Sequence, residues 1–233
     1  MAEIRGIIFD KDGTLFDFNA TWGAWAAGMI DDLAGGDSVL ASQLAEVMGY
    51  DAGSRSFRPG AIVIAETTAR VAEEVLPYLQ GITLEPLVAQ MRAKASTVPQ
   101  VEAAPLRPLM QDLKAKGYML GVVTNDAEAP ARTHIARAGI TSLMDFVAGY
   151  DSGHGAKPAP DPLLAFCAAT GLLPDECVMI GDSLHDLHAG QAAGMATLGV
   201  LTGPALAGEL SYVADDVLTS IADLPDWLDR RKA

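Results

Sequence analysis

Cysteine is almost absent from this chain of 233 residues, and no apolar run approaches the length of a membrane-spanning helix. The two cysteines, Cys167 and Cys177, form neither a Cys-x-x-Cys pair nor a set of zinc ligands, so we expect reduced, buried thiols. The N-terminal residues also lack the pattern of a secretory signal peptide. These absences predict a soluble, cytoplasmic protein with no membrane partner.

Basic residues are scarce as well, because 16 Lys and Arg stand against 30 Asp and Glu, for a formal charge of −14. Nucleic acids are bound by clustered Lys and Arg, and the sequence contains no such cluster, so we expect no nucleic-acid partner. A small anionic substrate remains compatible with this charge, because distant charges are screened and a local cation can dominate. The absence of Gly-x-Gly-x-x-Gly after the first apolar run argues against a dinucleotide-binding oxidoreductase.

The hydrophobic pattern divides the chain into two textures. Ile4–Phe9 and residues 99–233 alternate short apolar strands with helical segments, which predicts a parallel sheet covered by helices on both faces. Residues 17–98 instead show helical spacing throughout and no predicted strand. The four helices predicted there are Trp22–Leu33, Leu40–Met48, Ala61–Leu79 and Leu84–Ala95. We therefore predict an α/β protein with a Rossmann-like core, residues 1–16 and 99–233, and a helical domain, residues 17–98, inserted after the first core strand.

Polar side chains follow several of the predicted core strands. Because the carboxyl ends of parallel strands share one edge of the sheet, these segments are expected to converge. Crowded carboxylates need a cation, and oxygen ligands of this kind suit Mg²⁺. A lysine, a hydroxyl and an amide would then hold a dianionic group. Together with the metal ion, these are the groups that sites of phosphoryl transfer use. The four segments are Asp10-Lys-Asp-Gly-Thr14, Thr124-Asn125, Lys157-Pro158 and Gly181-Asp182-Ser-Leu-His-Asp186.

Asp10 and Asp12 are the residues for which the pattern suggests covalent chemistry. One carboxylate of such a pair can attack phosphorus as a nucleophile. The other can protonate the leaving oxygen and then deprotonate water. Gly13 would relieve crowding where the backbone approaches a phosphate.

In their order and spacing, these segments resemble the motifs of the haloacid dehalogenase-like hydrolase superfamily. Asp10-Lys-Asp-Gly-Thr14 matches its Asp-x-Asp-Gly-Thr motif, Thr124 its strand-end threonine, and Lys157-Pro-Ala-Pro160 its lysine motif. Gly181-Asp-Ser-Leu-His-Asp186 is similar to the fourth motif, Gly-Asp-Ser-x-x-Asp. The resemblance covers essentially the whole chain and is strongest to the phosphoglycolate phosphatase-like branch. It implies that the inserted helices are an α-helical cap domain.

The resemblance also implies roles for the individual residues. Asp10 would be the nucleophile and a Mg²⁺ ligand, Asp12 the general acid/base and a ligand through its backbone carbonyl, and Asp182 the remaining ligand. Thr124 and Asn125 would hold phosphoryl oxygens, while Lys157 would orient Asp10 and neutralise the phosphate. Asp186 would act on Lys157 or on a metal-bound water. Lys11 departs from the family pattern, in which an apolar residue is commoner, and we expect the departure to be tolerated.

The function expected from this resemblance is a Mg²⁺-dependent phosphatase that hydrolyses small phosphorylated metabolites, phosphoglycolate first, through a phospho-aspartate. Two alternatives stay open: a sugar phosphomutase on the same fold, and a non-catalytic protein that binds a phosphometabolite. In the inserted domain, Arg55 and Arg58 could bind a substrate carboxylate or could be ordinary surface residues. The sequence carries no signal for the oligomeric state.

Overall fold

The structure, a computed structural model, describes residues 3–58, 60–65 and 67–232. The chain divides into two compact units. The first consists of Met1–Asp17 and Glu102–Ala233, and the second of Phe18–Val101. The role of the second unit as an inserted cap domain stays a prediction.

Six parallel strands form the sheet of the first unit: β1 (Gly6–Phe9), β4 (Met119–Val123), β5 (Phe146–Ala148), β6 (Cys177–Gly181), β7 (Ala196–Val200) and β8 (Asp216–Leu218). Their order across the sheet is β5-β4-β1-β6-β7-β8. β1 lies inside the sheet, where Ile8 is aligned with Gly121 of β4 and with Met179 of β6. All four residues of β1 are buried, as expected for a strand covered on both faces. Two further strands of the described residues, β2 (Tyr50–Asp51) and β3 (Ser56–Phe57), belong to the second unit.

Helices and short 3₁₀ turns connect these strands. A 3₁₀ turn at Ile221–Asp223 precedes the last of these helices. The helices are α1 (Phe18–Ala34), α2 (Ser38–Met48), α3 (Ile62–Ala65), α4 (Thr68–Val75), α5 (Leu84–Thr97), α6 (Leu106–Ala115), α7 (Glu128–Arg137), α8 (Asp161–Thr170), α9 (Leu184–Ala193), α10 (Ala207–Leu210) and α11 (Leu224–Lys232).

The two faces of the sheet carry separate hydrophobic cores, because successive strand residues point in opposite directions. Ile7 and Phe9 of β1 pack on one face with buried residues of α6, α7 and α11. Ile8 packs on the other face with residues of α8 and α9, including Phe166. The predicted parallel sheet with helices on both faces is therefore confirmed. Cys167 and Cys177 are buried free thiols of the second core, as expected.

The second unit is mainly helical, but the prediction that it contains no strand is wrong. β2 and β3 pair as an antiparallel hairpin, in which Tyr50 is aligned with Phe57. Both aromatic rings are buried in the core of this unit and meet edge to face. Two-residue strands are too short to produce an alternating pattern, so no periodic signal marks them in the sequence. The predicted helix 61–79 is also divided, into α3, α4 and a 3₁₀ turn, while Glu66 lies outside the described residues.

The arginines of the second unit differ in their partners. Arg58 pairs with Glu46 at 2.7 Å, so its guanidinium is engaged by a carboxylate of the protein. Arg55 lies in the hairpin turn with a φ of 55°, a left-handed backbone conformation that is uncommon for a residue with a side chain. A role in substrate binding stays a prediction for both residues. None of the described helices combines the length and the apolar character that crossing a bilayer requires.

We predict that Gly121→Ala destabilises the core, because a Cβ on this residue of β4 would lie 2.6 Å from the ring of Phe166. Phe166 is fully buried, and overpacking in a core costs about 1–3 kcal/mol of the free energy of unfolding. Gly208→Ala is the control, because a Cβ there meets no atom within 4 Å and alanine favours the helical backbone of α10. Urea unfolding measures both changes, and an unchanged midpoint for Gly121→Ala would contradict the packing described.

Candidate active site

The polar residues predicted from the motifs lie at the carboxyl ends of three neighbouring strands. Asp10 follows β1, Thr124 follows β4 and Asp182 follows β6. The chain passes from β1 to β4 and β5 on one side, and later returns to fill β6, β7 and β8 on the other. The strand ends next to such a reversal form the crevice in which open α/β sheets bind their ligands. The fold therefore brings together segments that are more than a hundred residues apart in sequence.

Three carboxylates converge at this edge of the sheet. Asp10, Asp182 and Asp186 each place an oxygen within 4.8 Å of the others, and all three side chains are buried. Asp186 comes from the first turn of α9, where its Oδ2 accepts hydrogen bonds from the N–H and the hydroxyl of Ser183. Its other oxygen, Oδ1, forms an ion pair with the Nζ of Lys157 at 2.6 Å. Both oxygens of Asp186 are thus engaged within the protein.

Lys157 is the cation that links two of these carboxylates. Its Nζ lies 2.6 Å from Asp10 Oδ1 and from Asp186 Oδ1, and it donates to the carbonyl of Val123 at 2.8 Å. An ammonium has three donors, so these three acceptors saturate it. Burial alone would lower the pKa of Lys157, but the charges of Asp10 and Asp186 outweigh it and raise that pKa. Lys157 is therefore charged and fixed in direction toward Asp10.

One lysine does not neutralise three buried carboxylates. Burial, together with the charges of Asp186 and Asp12, raises the pKa of Asp10 to about 7, although the Lys157 ammonium acts to lower it. Burial, followed by the charges of Asp10 and Asp186, also raises the pKa of Asp182 well above its usual range. Among the described residues, Asp182 forms no ion pair with a basic side chain. The site therefore carries an excess of negative charge that a metal ion would compensate.

The surroundings of Asp182 leave room for its carboxylate and for no further side chain. A Cβ on Gly13 would lie 2.4 Å from Asp182 Oδ2, and one on Gly203 would lie 1.8 Å from the same oxygen. Gly13 also has a φ of +83°, which L side chains rarely adopt. Two glycines thus border the carboxylate that has no cationic partner among the described residues. Together with Asp10, this oxygen-only donor set fits a hard divalent cation.

Thr124 and Asn125 lie beside the lysine. The Oγ1 of buried Thr124 accepts the N–H of Asp126 at 3.1 Å, which leaves its own O–H as a donor. Asn125 accepts the N–H of Lys157 with Oδ1 at 2.9 Å and donates Nδ2 to the carbonyl of Lys157 at 2.8 Å. These bonds fix the orientation of the amide, because a backbone N–H only donates and a carbonyl only accepts. Asn125 thereby positions the Lys157 backbone and retains one N–H for a ligand.

Asp12 differs from the other acids because one of its oxygens is unpartnered. Its Oδ2 lies 2.5 Å from the Nζ of Lys11, whereas its Oδ1 is buried without a hydrogen-bond partner among the described residues. Buried polar atoms without partners are rare in folded proteins and often mark a functional position. The structure thus places Asp12 as a half-satisfied carboxylate two residues from Asp10.

Sequence reasoning missed several residues that shape this edge of the sheet. Thr202 donates its hydroxyl to the carbonyl of Gly13 at 2.7 Å, and neighbouring Gly203 lies against Asp182. The sequence carries a signal for both residues. Thr202-Gly-Pro204 comes shortly after the apolar run of β7, just as the other polar segments come after the apolar runs of their strands. Lys11 and His134 are not among the residues predicted for the site, yet their side-chain nitrogens lie 3.1 Å apart.

Comparison with known proteins points to one family. The family model described as haloacid dehalogenase-like hydrolase matches residues 7–200. A phosphoglycolate phosphatase of Rhodospirillum rubrum is 31% identical, over 96% of this chain and 90% of its own length. Pyrophosphatase PpaX of Bacillus velezensis is 28% identical, over 95% of this chain and 94% of its own length.

Solved structures share the fold at lower sequence identity. A candidate β-phosphoglucomutase from Thermotoga maritima superimposes with a TM-score of 0.73 at 17% identity, covering 97% of this chain and 99% of its own. The family model and the curated relatives confirm the resemblance drawn from the four motifs and the prediction of a hydrolase. The chain belongs to the haloacid dehalogenase-like hydrolase family.

Proposed function

We propose that the protein is a Mg²⁺-dependent phosphatase that hydrolyses small phosphomonoesters through a phospho-aspartate on Asp10. One observation carries the proposal: Lys157 holds Asp10 Oδ1 at 2.6 Å, while Asp12, two residues away, keeps an unpartnered oxygen. The first arrangement suits a nucleophile, and the second suits a group that gives and takes a proton.

Asp10 is the residue best placed to attack phosphorus. Lys157 occupies its Oδ1, which leaves Oδ2 for the attack and fixes the plane of the carboxylate. As the new bond from Asp10 to phosphorus forms, the bond from phosphorus to the leaving oxygen breaks. The ammonium of Lys157 would offset negative charge on the phosphoryl group in this step.

Asp12 transfers one proton in each half of the reaction, as donor in the first and as acceptor in the second. In the first half its carboxyl group donates a proton to the leaving oxygen, which departs as an alcohol. In the second half the resulting carboxylate accepts a proton from water as that water attacks phosphorus. The bond between phosphorus and Asp10 then breaks, which frees inorganic phosphate and returns both aspartates to their starting states.

The donor set fits Mg²⁺. Asp10 and Asp182 would hold it through their carboxylates, and Asp12 through its backbone carbonyl. When bound, Mg²⁺ supplies positive charge that lowers the repulsion between the carboxylates and the phosphate. The O–H of Thr124 and the remaining N–H of Asn125 would donate to phosphoryl oxygens. Lys157 would offset the negative charge of these oxygens.

Phosphoglycolate is the first substrate to test, because relatives at about 30% identity over most of both chains are named phosphoglycolate phosphatases. The test is a panel of small phosphorylated metabolites and pyrophosphate, ranked by kcat/KM for phosphate release. Preference for a small phosphomonoester supports the proposal. Isomerisation of a sugar phosphate without phosphate release would instead identify a phosphomutase, and binding without turnover a non-catalytic protein.

We predict that Lys157→Met lowers kcat/KM by more than about a hundredfold, because removing one partner of a buried charged set costs about 3–5 kcal/mol. Lys114→Met is the control, since Lys114 pairs with Asp145 at 2.6 Å in a partly exposed position away from the motifs. Steady-state kinetics on one phosphomonoester measure both. A loss of less than tenfold for Lys157→Met would show that its ammonium does not face the phosphate.

Metal removal should abolish activity and weaken the fold. We expect excess EDTA to stop turnover and Mg²⁺ to restore it, and Mg²⁺ at a hundred times its Kd to stabilise the protein by about 2.7 kcal/mol. Asp182→Asn should lose most of this stabilisation, whereas Asp112→Asn on α6 should keep it. Thermal unfolding with and without Mg²⁺ provides the measurement. Full activity in EDTA would rule out the metal, and an unaltered response of Asp182→Asn would rule out that ligand.

Asp10 and Asp12 should fail in different ways. Asp10→Asn should form no phospho-enzyme with any substrate, because the attacking carboxylate is gone. Asp12→Asn should still react in part with p-nitrophenyl phosphate, whose leaving group needs little protonation, and should then stall because no base activates water. We therefore expect a burst of at most one equivalent of p-nitrophenol, and no burst with an alkyl phosphate.

Rapid-mix kinetics with intact-mass detection of the phospho-enzyme measure this difference. A phospho-adduct on Asp10→Asn would show that another group is the nucleophile. A steady-state rate of Asp12→Asn close to that of the wild type would show that Asp12 is not the acid/base.

A further inference from the structure

Lys11 is a fully buried lysine that the proposed chemistry does not use. Its Nζ lies 2.5 Å from Asp12 Oδ2, 3.1 Å from Asp126 Oδ2 and 3.1 Å from His134 Nδ1. An ammonium carries three donors and no acceptor, so these three contacts satisfy it completely. Two of the three partners are carboxylates, which stabilise the charged form of a buried lysine. Lys11 is therefore a charged group inside the protein.

The partners of Lys11 are themselves fixed by the fold. Asp126 accepts the N–H of Ala127 with its other oxygen at 2.8 Å, just before α7 begins. His134 lies on α7, and its Nδ1 must accept because an ammonium cannot, which places the ring proton on Nε2. Burial, and next the charge of Lys11, lower the pKa of His134, in agreement with a neutral ring. The start of α7 and its imidazole thus hold the ammonium in one place.

This arrangement divides the two oxygens of Asp12. Oδ2 is held by Lys11, while Oδ1 is buried and unpartnered among the described residues. A carboxylate with neither oxygen held could rotate about its side-chain bonds, and each orientation would present different lone pairs to the substrate. Anchoring one oxygen leaves a single oxygen available and fixes its direction. Preorganisation of this kind strongly affects rate, since a misplacement of about 1 Å costs about a hundredfold.

We propose that Lys11 is a positioning residue that anchors Asp12 through Oδ2 and presents Oδ1 for proton transfer. The inference rests on the proposed function, since it gives Asp12 its acid/base role. The competing explanation is that Lys11 only balances charge within the fold. The two explanations differ in which chemical steps depend on Lys11: positioning affects the steps in which Asp12 moves a proton, whereas a purely structural role affects every step equally.

The test compares leaving groups in Lys11→Met, which keeps an unbranched side chain one atom shorter and removes the ammonium. We expect kcat/KM for an alkyl phosphate to fall about a hundredfold, because its leaving oxygen needs the proton of Asp12. Phospho-enzyme formation from p-nitrophenyl phosphate should change less than about threefold, and its hydrolysis should slow, which yields a burst. Asp126→Asn, which weakens the hold on Lys11, should shift the same quantities in the same direction by a smaller factor.

Loss of stability is separated from loss of positioning by the double variant Lys11→Met/Asp126→Asn. Lys11→Met leaves two carboxylates, Asp12 and Asp126, without their ammonium, and the double variant removes one of them, so its melting temperature should recover in part. The positioning role predicts that the selective loss on alkyl phosphates persists in this recovered protein. Lys114→Met serves again as the control and should show neither a burst nor a selective loss.

Each result supports or overturns the inference. Equal losses on both substrates in Lys11→Met, or recovery of alkyl phosphate turnover in the double variant, would show a purely structural role while the phosphatase assignment stands. Absence of phosphatase activity in the metal-loaded wild type would instead overturn the proposed function, and this inference with it. A selective loss that persists in the double variant establishes Lys11 as the residue that positions Asp12.

Discussion

The burial of like charges at the end of β1 is the constraint on which the rest of the site depends. Asp10, Asp182 and Asp186 place oxygens within 4.8 Å of each other, and carboxylates in such a setting cannot all stay charged without cations. Lys157 compensates two of them directly, through contacts of 2.6 Å to Asp10 and Asp186. Asp182 keeps the charge that a metal ion would meet. In the proposed function the site would thereby have a lysine half and a metal half, with Asp10 shared between them.

The same constraint explains why the surrounding backbone is built as it is. Asp182 lies so close to Gly13 and Gly203 that a Cβ on either would overlap its carboxylate. Asn125 fixes the Lys157 backbone by two hydrogen bonds, which brings a lysine from a distant loop to the end of β1. These neighbours perform no chemistry themselves. They hold charged groups closer together than these groups would lie in water. This arrangement costs stability, which the hydrophobic cores on both sheet faces provide.

The sequence predicted the parallel sheet and the convergence of the motifs because both follow from local patterns. Buried strands such as β4 read as short apolar runs, and the polar residues after them must meet at one sheet edge. Other features lacked a local signal. The hairpin of β2 and β3 is too short for periodicity, and the contact between the rings of Tyr50 and Phe57 forms only in the folded chain. Lys11 is a surface-type residue by composition, and only the tertiary fold reveals the three acceptors that make its burial possible.

The central claim of this account is that Asp10 becomes covalently phosphorylated. The stereochemical course at phosphorus tests it most directly, since each in-line displacement inverts the configuration. A phosphorothioate monoester made chiral with oxygen-18 would be hydrolysed in water enriched in oxygen-17, and the configuration of the thiophosphate product determined by NMR. Two displacements, first by Asp10 and then by water, predict net retention. Net inversion would show that water attacks the substrate directly and would contradict the phospho-aspartate.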